Sequence, residues 1–394
     1  MKKLILTSNA YYPSIGGIEN SLRHLAQEAV AADMQPVIVV GDIGVEPKLL
    51  KTQTETIDGV QVIRYPMQPL RWPIVKYLNL IVSCWLCWSI YRQFKKQAPD
   101  AIVVARFHFN AWLANLAGFK TVRYLVPSVV REQSTVEASN LSLIKYKKAR
   151  LKIKLHNIIQ ANALKQCENF VFSETMLLQC MALAKNSKKN YTIVKPGVDS
   201  SRFHPVSDQS KQKLRENFGY IQTDKVLLFV GRFVKAKGVD LILEAISLAN
   251  KKHIKLLMVG EGAEQQQYIQ LVRKYNLSQQ ITILSPTAKV EKFYQLADVF
   301  IMSSCYEPLG QTLLEAFASG LPVIAFKRSD LVNTATQELG MDEFICYSNS
   351  YASLDLAHCL DAVKVSTAFQ RERLSEICLS KFSWRALLNS LLLK

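Results

Sequence analysis

Two carboxylates eight residues apart, Glu307 and Glu315, frame the stretch VFIMSSCYEPLGQTLLEAFASGLPVIAF, residues 299–326. Its periodicity predicts an apolar strand from Val299 to Met302, a polar loop from Ser303 to Leu309 and a helix starting near Gly310. A Gly-Leu-Pro break and a second apolar strand from Val323 to Phe326 follow. If the loop folds back over the helix start, one carboxylate sits at the mouth and the other on the second turn. The backbone N–H groups of Gly310, Gln311, Thr312 and Leu313 are then expected to be free at a helix N-terminus, whose partial positive charge suits a phosphate. Amides for an anion beside carboxylates for hydroxyls point to a ligand with both parts, and a nucleotide sugar fits. The plain alternative is a surface Glu in a loop and a solvated Glu on a helix.

Further chemistry-bearing residues fall between strands and helices. Arg232 and Lys237 stand five apart in the loop GRFVKAKG. Arginine can grip phosphate oxygens through two parallel N–H bonds, and lysine acts as a point charge; as an alternative, both are solvated loop cations. His108 follows the apolar strand Ala101 to Ala105, and ligands of doubly wound sheets gather at the C-terminal ends of strands. A surface histidine, or one satisfied by a backbone carbonyl, is the other reading. Gly16 and Gly17 lie between a strand and a helix, where missing side chains let backbone approach a ligand.

These segments resemble one family throughout. E-P-L-G-x-x-x-L-E-A followed by S-G-L-P-V-I is similar to the E-x7-E motif of retaining glycosyltransferases of the GT-B fold, in particular glycosyltransferase family 4. G-R-F-V-x-x-K-G, the loop P-S-I-G-G-I-E, the connection VKPGVDSSRFHP and a closing K-F-S-W stretch resemble further parts of it, in the family's order. The resemblance implies that Glu307 contacts the donor sugar, Glu315 the ribose hydroxyls, Gly16 and Gly17 the diphosphate and His108 the donor sugar. It also implies a nucleoside-diphosphate sugar as donor, a glycan acceptor and retention of configuration. Arg131-Glu132-Gln133 departs from a second His motif, which bears on the acceptor. Lys327-Arg328-Ser329-Asp330 replaces a Gly-Gly loop, which bears on the pyrophosphate side.

Sugar transfer leaves negative charge on the departing phosphate, to be absorbed by a metal or by fixed cations and dipoles. The sequence has no D-x-D motif, so Arg232, Lys237 and the helix-start amides are expected to serve, with no metal and no cofactor. A nucleotide-sugar epimerase would use the same scaffold and phosphate grip. A sugar-binding scaffold without activity is a third reading, against which the joint presence of Glu307, Glu315, Arg232 and Lys237 argues.

The elements that must position these residues alternate. Lys3 to Thr7, Glu19 to Ala32 and Pro36 to Val40 open the chain as a βαβ unit, and Val60 to Arg64, Ala101 to Ala105, Val122 to Val126 and Phe170 to Ser173 read as further strands. The second half repeats the pattern. Strands at Val226 to Val230, Lys255 to Val259 and Ile281 to Leu284 alternate with helices at Val239 to Ala249, Gln265 to Tyr275 and Val290 to Ala297. A chain of 394 residues exceeds one core. The expectation is therefore α/β: two doubly wound, Rossmann-like domains with a cleft between them. Residues 1–200 would bind acceptor and 201–373 the nucleotide sugar, and a helix in 374–394 would cross back to the first domain.

The net charge of +17 is uneven: residues 1–205 hold 27 Lys and Arg against 13 Asp and Glu, concentrated in KYKKARLKIKLHN (145–157). Such a surface could meet nucleic acid, an anionic membrane or an acidic substrate. Because no helix-turn-helix, zinc finger or aromatic RNA-binding signature accompanies it, nucleic acid is not expected. The N-terminal apolar run ends after four residues, unlike a leader. The uncharged run Tyr77 to Tyr91 has fifteen residues against the ~20 of a membrane span, and reads as a buried or interfacial helix. A cytoplasmic protein that docks peripherally on the anionic inner leaflet and takes a lipid-linked glycan is the expectation. The eight cysteines lack paired metal-ligand spacing and read as free thiols.

Overall fold

Aliphatic runs between turn-forming segments fold as strands of two mainly parallel sheets, one in each of two units. The computed structural model describes residues 3–14, 16–70, 75, 78–132 and 143–393, and of 143–149 the backbone only. Ile15, Tyr77 and Gln133 of the segments named above lie outside the described residues. The first unit comprises residues 1–197 and 384–394, the second 198–383.

In the first unit β1 (Lys3–Ala10), α1 (Gly17–Val30) and β2 (Gln35–Ile43) precede the hairpin β3 (Gln53–Ile57) and β4 (Val60–Tyr65). Then come α2 (Asn79–Gln97), β5 (Ile102–Ala105), α3 (His108–Leu116) and β6 (Thr121–Leu125). They are followed by α4 (Leu143–Gln166), β7 (Glu168–Val171), α5 (Glu174–Ala184) and β8 (Tyr191–Ile193). The sheet order is β3-β4-β2-β1-β5-β6-β7-β8, antiparallel only between β3 and β4. The chain reverses its direction of growth between β1 and β5, and the ends of those two strands carry the Gly16-Gly17 loop and His108.

Several elements were not expected, β3 and α3 among them. β3 has the polar, exposed sequence QTETI, so no apolar alternation marks it. Its turn does: Asp58 and Gly59 have φ of 49° and 76°, the pair of positive values that two-residue hairpins favour. Helix α3 is buried at six of nine positions, which erases the one-sided apolar stripe of a surface helix.

In the second unit α6 (Asp208–Glu216) precedes β9 (Lys225–Val230), α7 (Val239–Ala249), β10 (Ile254–Val259), α8 (Gln265–Lys274) and β11 (Ile281–Leu284). Next are α9 (Glu291–Leu296), β12 (Val299–Met302), β13 (Tyr306–Glu307), α10 (Gln311–Ala318) and β14 (Val323–Phe326). β15 (Asn333–Thr334), β16 (Ile345–Ser348), α11 (Ser353–Ala362) and α12 (Ala368–Lys381) complete it. The parallel sheet β11-β10-β9-β12-β14-β16 reverses its growth between β9 and β12. Its strands bury both faces: Val226, Leu228, Phe300 and Met302 join one cluster, Leu227, Phe229, Val299 and Ile301 the other.

The tail differs from expectation. Instead of one closing helix from 374, Phe382-Ser383 separates α12 from α13 (Trp384–Leu392), and only α13 belongs to the first unit. Ser375 Oγ donates to Ala318 O at 2.6 Å and fastens α12 to the second unit. In the first unit Trp384 stacks on His24 with ring centroids 5.1 Å apart, and a Cβ at Gly197 would lie 2.3 Å from the Trp384 ring. That seat puts the boundary after Gly197 and not after residue 200. No helix among the described residues is long and apolar enough to cross a membrane.

Candidate active site

Open α/β sheets bind ligands beyond the strand ends where their order reverses, and in the second unit that point separates β9 from β12. Behind β9, Gly238 has φ +59°, and a side chain there would lie 2.4 Å from Ser303 O. Glycine thus satisfies both a left-handed turn and a close approach. Ser303 Oγ donates to Lys237 O at 2.6 Å, joining the two strand-end loops. Gly260 and Gly262 sit against Gly231 O and Phe233 O, and Phe233 N–H donates to Glu261 O at 2.7 Å; the turn after β10 thereby shapes the Arg232 loop.

Lys237 Nζ reaches Glu307 Oε2 at 2.5 Å, both side chains being largely covered. Glu307 is held by β13, which pairs with β15 opposite Thr334, and by Ala335 N–H donating to its carbonyl at 3.0 Å. Its Oε1 accepts from Gly310 N–H at 3.2 Å. The sequence-predicted Lys237, Glu307 and Gly310 therefore meet at one point. Arg232 lies on the same loop, exposed to solvent, and no contact joins it to Glu307.

The expectation of four free amides at the start of α10 needs correction. Gly310 N–H is taken by Glu307, and Leu313 N–H donates to Gly310 O at 2.9 Å because Gly310, at φ 76°, turns its carbonyl into the first helical turn. Glu315 is buried and accepts from Tyr294 Oη at 2.8 Å. Burial lifts its carboxyl to about 7, against which the Tyr294 hydrogen bond and the Arg202 charge act. Tyr294 sits in the short helix α9, EKFYQL, and nothing in its spacing marks it as the partner of Glu315. Arg328, in the stretch that departs from the family pattern, is turned toward its own neighbourhood: its N–H donates to Gln337 Oε1 at 2.9 Å and its guanidinium pairs with Glu338.

In the first unit Gly16 precedes α1 and Gly17 opens it. A Cβ at Gly16 would stand 2.5 Å from Glu19 Oε2, so the Glu19 carboxylate folds over the helix start that was read as a diphosphate seat. Burial raises the Glu19 carboxyl, countered by hydrogen bonds from its own backbone and Ser14 and by the Arg106 charge. His108, the first residue of α3, is buried, and its Nε2 lies 3.0 Å from His156 Nδ1. Burial, helped by His156, lowers His108 to about 3, so the ring is neutral. The half-exposed member of the pair is His156, on α4, which sequence spacing did not single out. Arg131 and Glu132 form an ion pair with each other at 3.0 Å. Among the described residues no group of three His, Cys, Asp or Glu is arranged to hold a metal ion. The eight cysteines are free thiols.

Two doubly wound units, each with its chemistry at the reversal of strand order, define a fold of the GT-B kind. HepE from Anabaena, solved in complex with UDP and glucose, superposes with a TM-score of 0.72 over 100% of this chain and 98% of that one, at 15% identity, which shows the fold. The profile described as Glycosyltransferase Family 4 matches residues 15–202, and that described as Glycosyl transferases group 1 matches 210–355. With both halves matched, the chain belongs to glycosyltransferase family 4. Mannosylfructose-phosphate synthase of Agrobacterium fabrum is 33% identical over 149 residues, 35% of this chain and 32% of that protein. The amylovoran biosynthesis glycosyltransferase AmsD of Erwinia amylovora is 36% identical over 100 residues, 25% and 28% of the two chains. The chain thus aligns with about a third of the length of these curated relatives.

Proposed function

We propose that this chain transfers a sugar from a UDP- or GDP-linked donor to a lipid-linked glycan acceptor in surface polysaccharide or lipopolysaccharide synthesis, with retention of configuration. The observation that carries the reading is the Lys237–Glu307–Gly310 cluster at the reversal point of the second unit. Before donor arrives, Lys237 and Glu307 neutralise each other. A pyrophosphate competes for Lys237 and frees Glu307 to orient the sugar through its hydroxyls. As the glycosidic bond breaks, the charge developing on the leaving phosphate is met by Lys237, by Arg232 and by the start of α10, so that the charge stabilisation comes from the chain itself. Glu315, deeper on the same helix, takes the ribose hydroxyls. HepE binding UDP and glucose, and AmsD acting in amylovoran biosynthesis, are the similarities that favour a nucleotide sugar and a polysaccharide pathway.

The test is a thermal-shift series with UDP, GDP, ADP and UDP-glucose, followed by transfer assays on the responding donor. A ligand at 100 times its Kd adds about 2.7 kcal/mol of stability. A shift with one uridine or guanosine diphosphate, and transfer abolished in Glu307→Ala, are expected. No shift with any nucleotide, undiminished transfer in the variant, or donor epimerisation without acceptor overturns the reading.

A further inference from the structure

The first unit holds a cavity of about 260 Å³ over the C-terminal ends of its sheet. Asn9, Ile43 and Tyr65 mark the ends of β1, β2 and β4 in its wall, and Phe107 follows β5. The remaining wall is mostly apolar: Leu80 and Cys84 from α2, Phe109 and Leu113 from α3. An apolar cavity of ~150 Å³ already stays dry and accepts a benzene-sized guest, so this one has room for several carbons of a chain. Lys152 and His156 of α4 complete it and, with Asn9 and Ser83, are its polar side chains. Lysine stems lie along apolar surface while the ammonium reaches water, and Lys152 has no carboxylate partner among the described residues. One cation on a mostly apolar cavity complements an amphiphile with an anionic head.

The cavity continues onto an uncovered apolar surface. Leu80 lines it and is itself 42% exposed; next on α2 come Ile81 and Trp85, 67% and 60% exposed. Helix α4 adds exposed Leu151 and Leu155 beside exposed Arg150, Lys152 and Lys154, and no acidic residue occurs from Leu143 to Gln166. Exposed apolar patches of this kind mark contact surfaces, and a basic, apolar one suits the surface of an anionic membrane.

We infer that this cavity seats the apolar chain of a lipid phosphate, with Lys152 on the phosphate. The inference rests on the lipid-linked acceptor proposed above and names where its chain enters. The test is titration of the full chain with dodecyl phosphate below its micelle concentration, beside inorganic phosphate and dodecanol, read by calorimetry. Wild type should bind dodecyl phosphate at least tenfold more tightly than inorganic phosphate. Cys84→Trp, which fills the cavity, should lose at least tenfold, and Lys152→Glu should weaken dodecyl phosphate but not dodecanol. Leu80→Asp, at the exposed rim, repeats the test should Cys84→Trp not fold. Equal binding by wild type and the filled cavity, or inorganic phosphate binding as tightly as dodecyl phosphate, overturns the inference. Nucleotide response is measured on the same samples. Its loss in wild type counts against the transferase reading, whereas retained response without chain binding counts against the cavity alone.

Discussion

Lys237 and Glu307 saturate one another, so each variant exposes what the other was doing. Glu307→Gln removes the competitor for Lys237; UDP binding is expected to hold or tighten a few-fold while transfer falls at least a hundredfold. On the proposed reading, Lys237→Met is expected to weaken UDP at least tenfold and the nucleoside far less, since only the diphosphate would use the ammonium. Calorimetry with UDP and uridine checks both, and equal weakening of the two ligands by Lys237→Met removes Lys237 from the phosphate. Glu315 offers a pH test. Its folded carboxyl, lifted by burial to about 7 from the ordinary 4.5, favours the neutral form, so its contribution to stability is complete below about pH 4.5 and drains as pH rises through 7. Glu315→Gln is permanently neutral and keeps the shape. It is expected to match wild type near pH 4.5 and to exceed it at pH 8, by on the order of 3 kcal/mol at most, while losing nucleotide affinity. Melting curves of both proteins from pH 4.5 to 8 decide, and parallel curves contradict a buried, raised Glu315.

Gly238 shows how an element places those residues. Its φ of +59° turns the loop after β9 into α7, and its bare Cα lets Ser303 O approach. Gly238→Ala meets both restrictions at once. It is expected to lower the melting temperature by several degrees, of the order that 1 to 3 kcal/mol of strain produces, and to cost more in transfer than in stability because Lys237 shifts. A variant with unchanged melting and kinetics removes the loop from the site. At this scale much of the molecule was legible. Strands buried on both faces appear as unbroken apolar runs, as in Val226–Val230 and Val299–Met302, and the glycines and carboxylates between them stand at fixed offsets from strand ends. Other features depend on contacts distant in sequence. Tyr294 meets Glu315 across 21 residues and His156 meets His108 across 48, and neither spacing carries a periodic signal. The Gly310 and Leu313 amides were misjudged because local geometry, a left-handed Gly310 and a carboxylate three residues back, consumed them. Glu19 likewise fills a helix start that the sequence offered as vacant.

The boundary after Gly197 sharpens the charge asymmetry of the whole chain. The first unit carries 28 Lys and Arg against 12 Asp and Glu, the second 21 against 20, so almost the entire +17 belongs to one unit. Solvation alone would spread such charge, whereas here it accompanies the exposed apolar residues of α2 and α4. Each basic residue near an anionic leaflet contributes about 1 kcal/mol, and the attraction reaches roughly a Debye length, ~10 Å in 0.1 M salt and ~3 Å in 1 M. We therefore expect the protein to sediment with anionic phospholipid vesicles in 0.1 M salt and largely to release them in 1 M. The remainder resistant to salt should be carried by Ile81 and Trp85 and diminish in Trp85→Ser. Reversing Arg150, Lys152 and Lys154 to Glu should remove the salt-sensitive part and leave the nucleotide response proposed for the second unit in place. Equal partition into neutral and anionic vesicles would mean that the surplus serves something other than a membrane, and the reversed variant would then bind as wild type does.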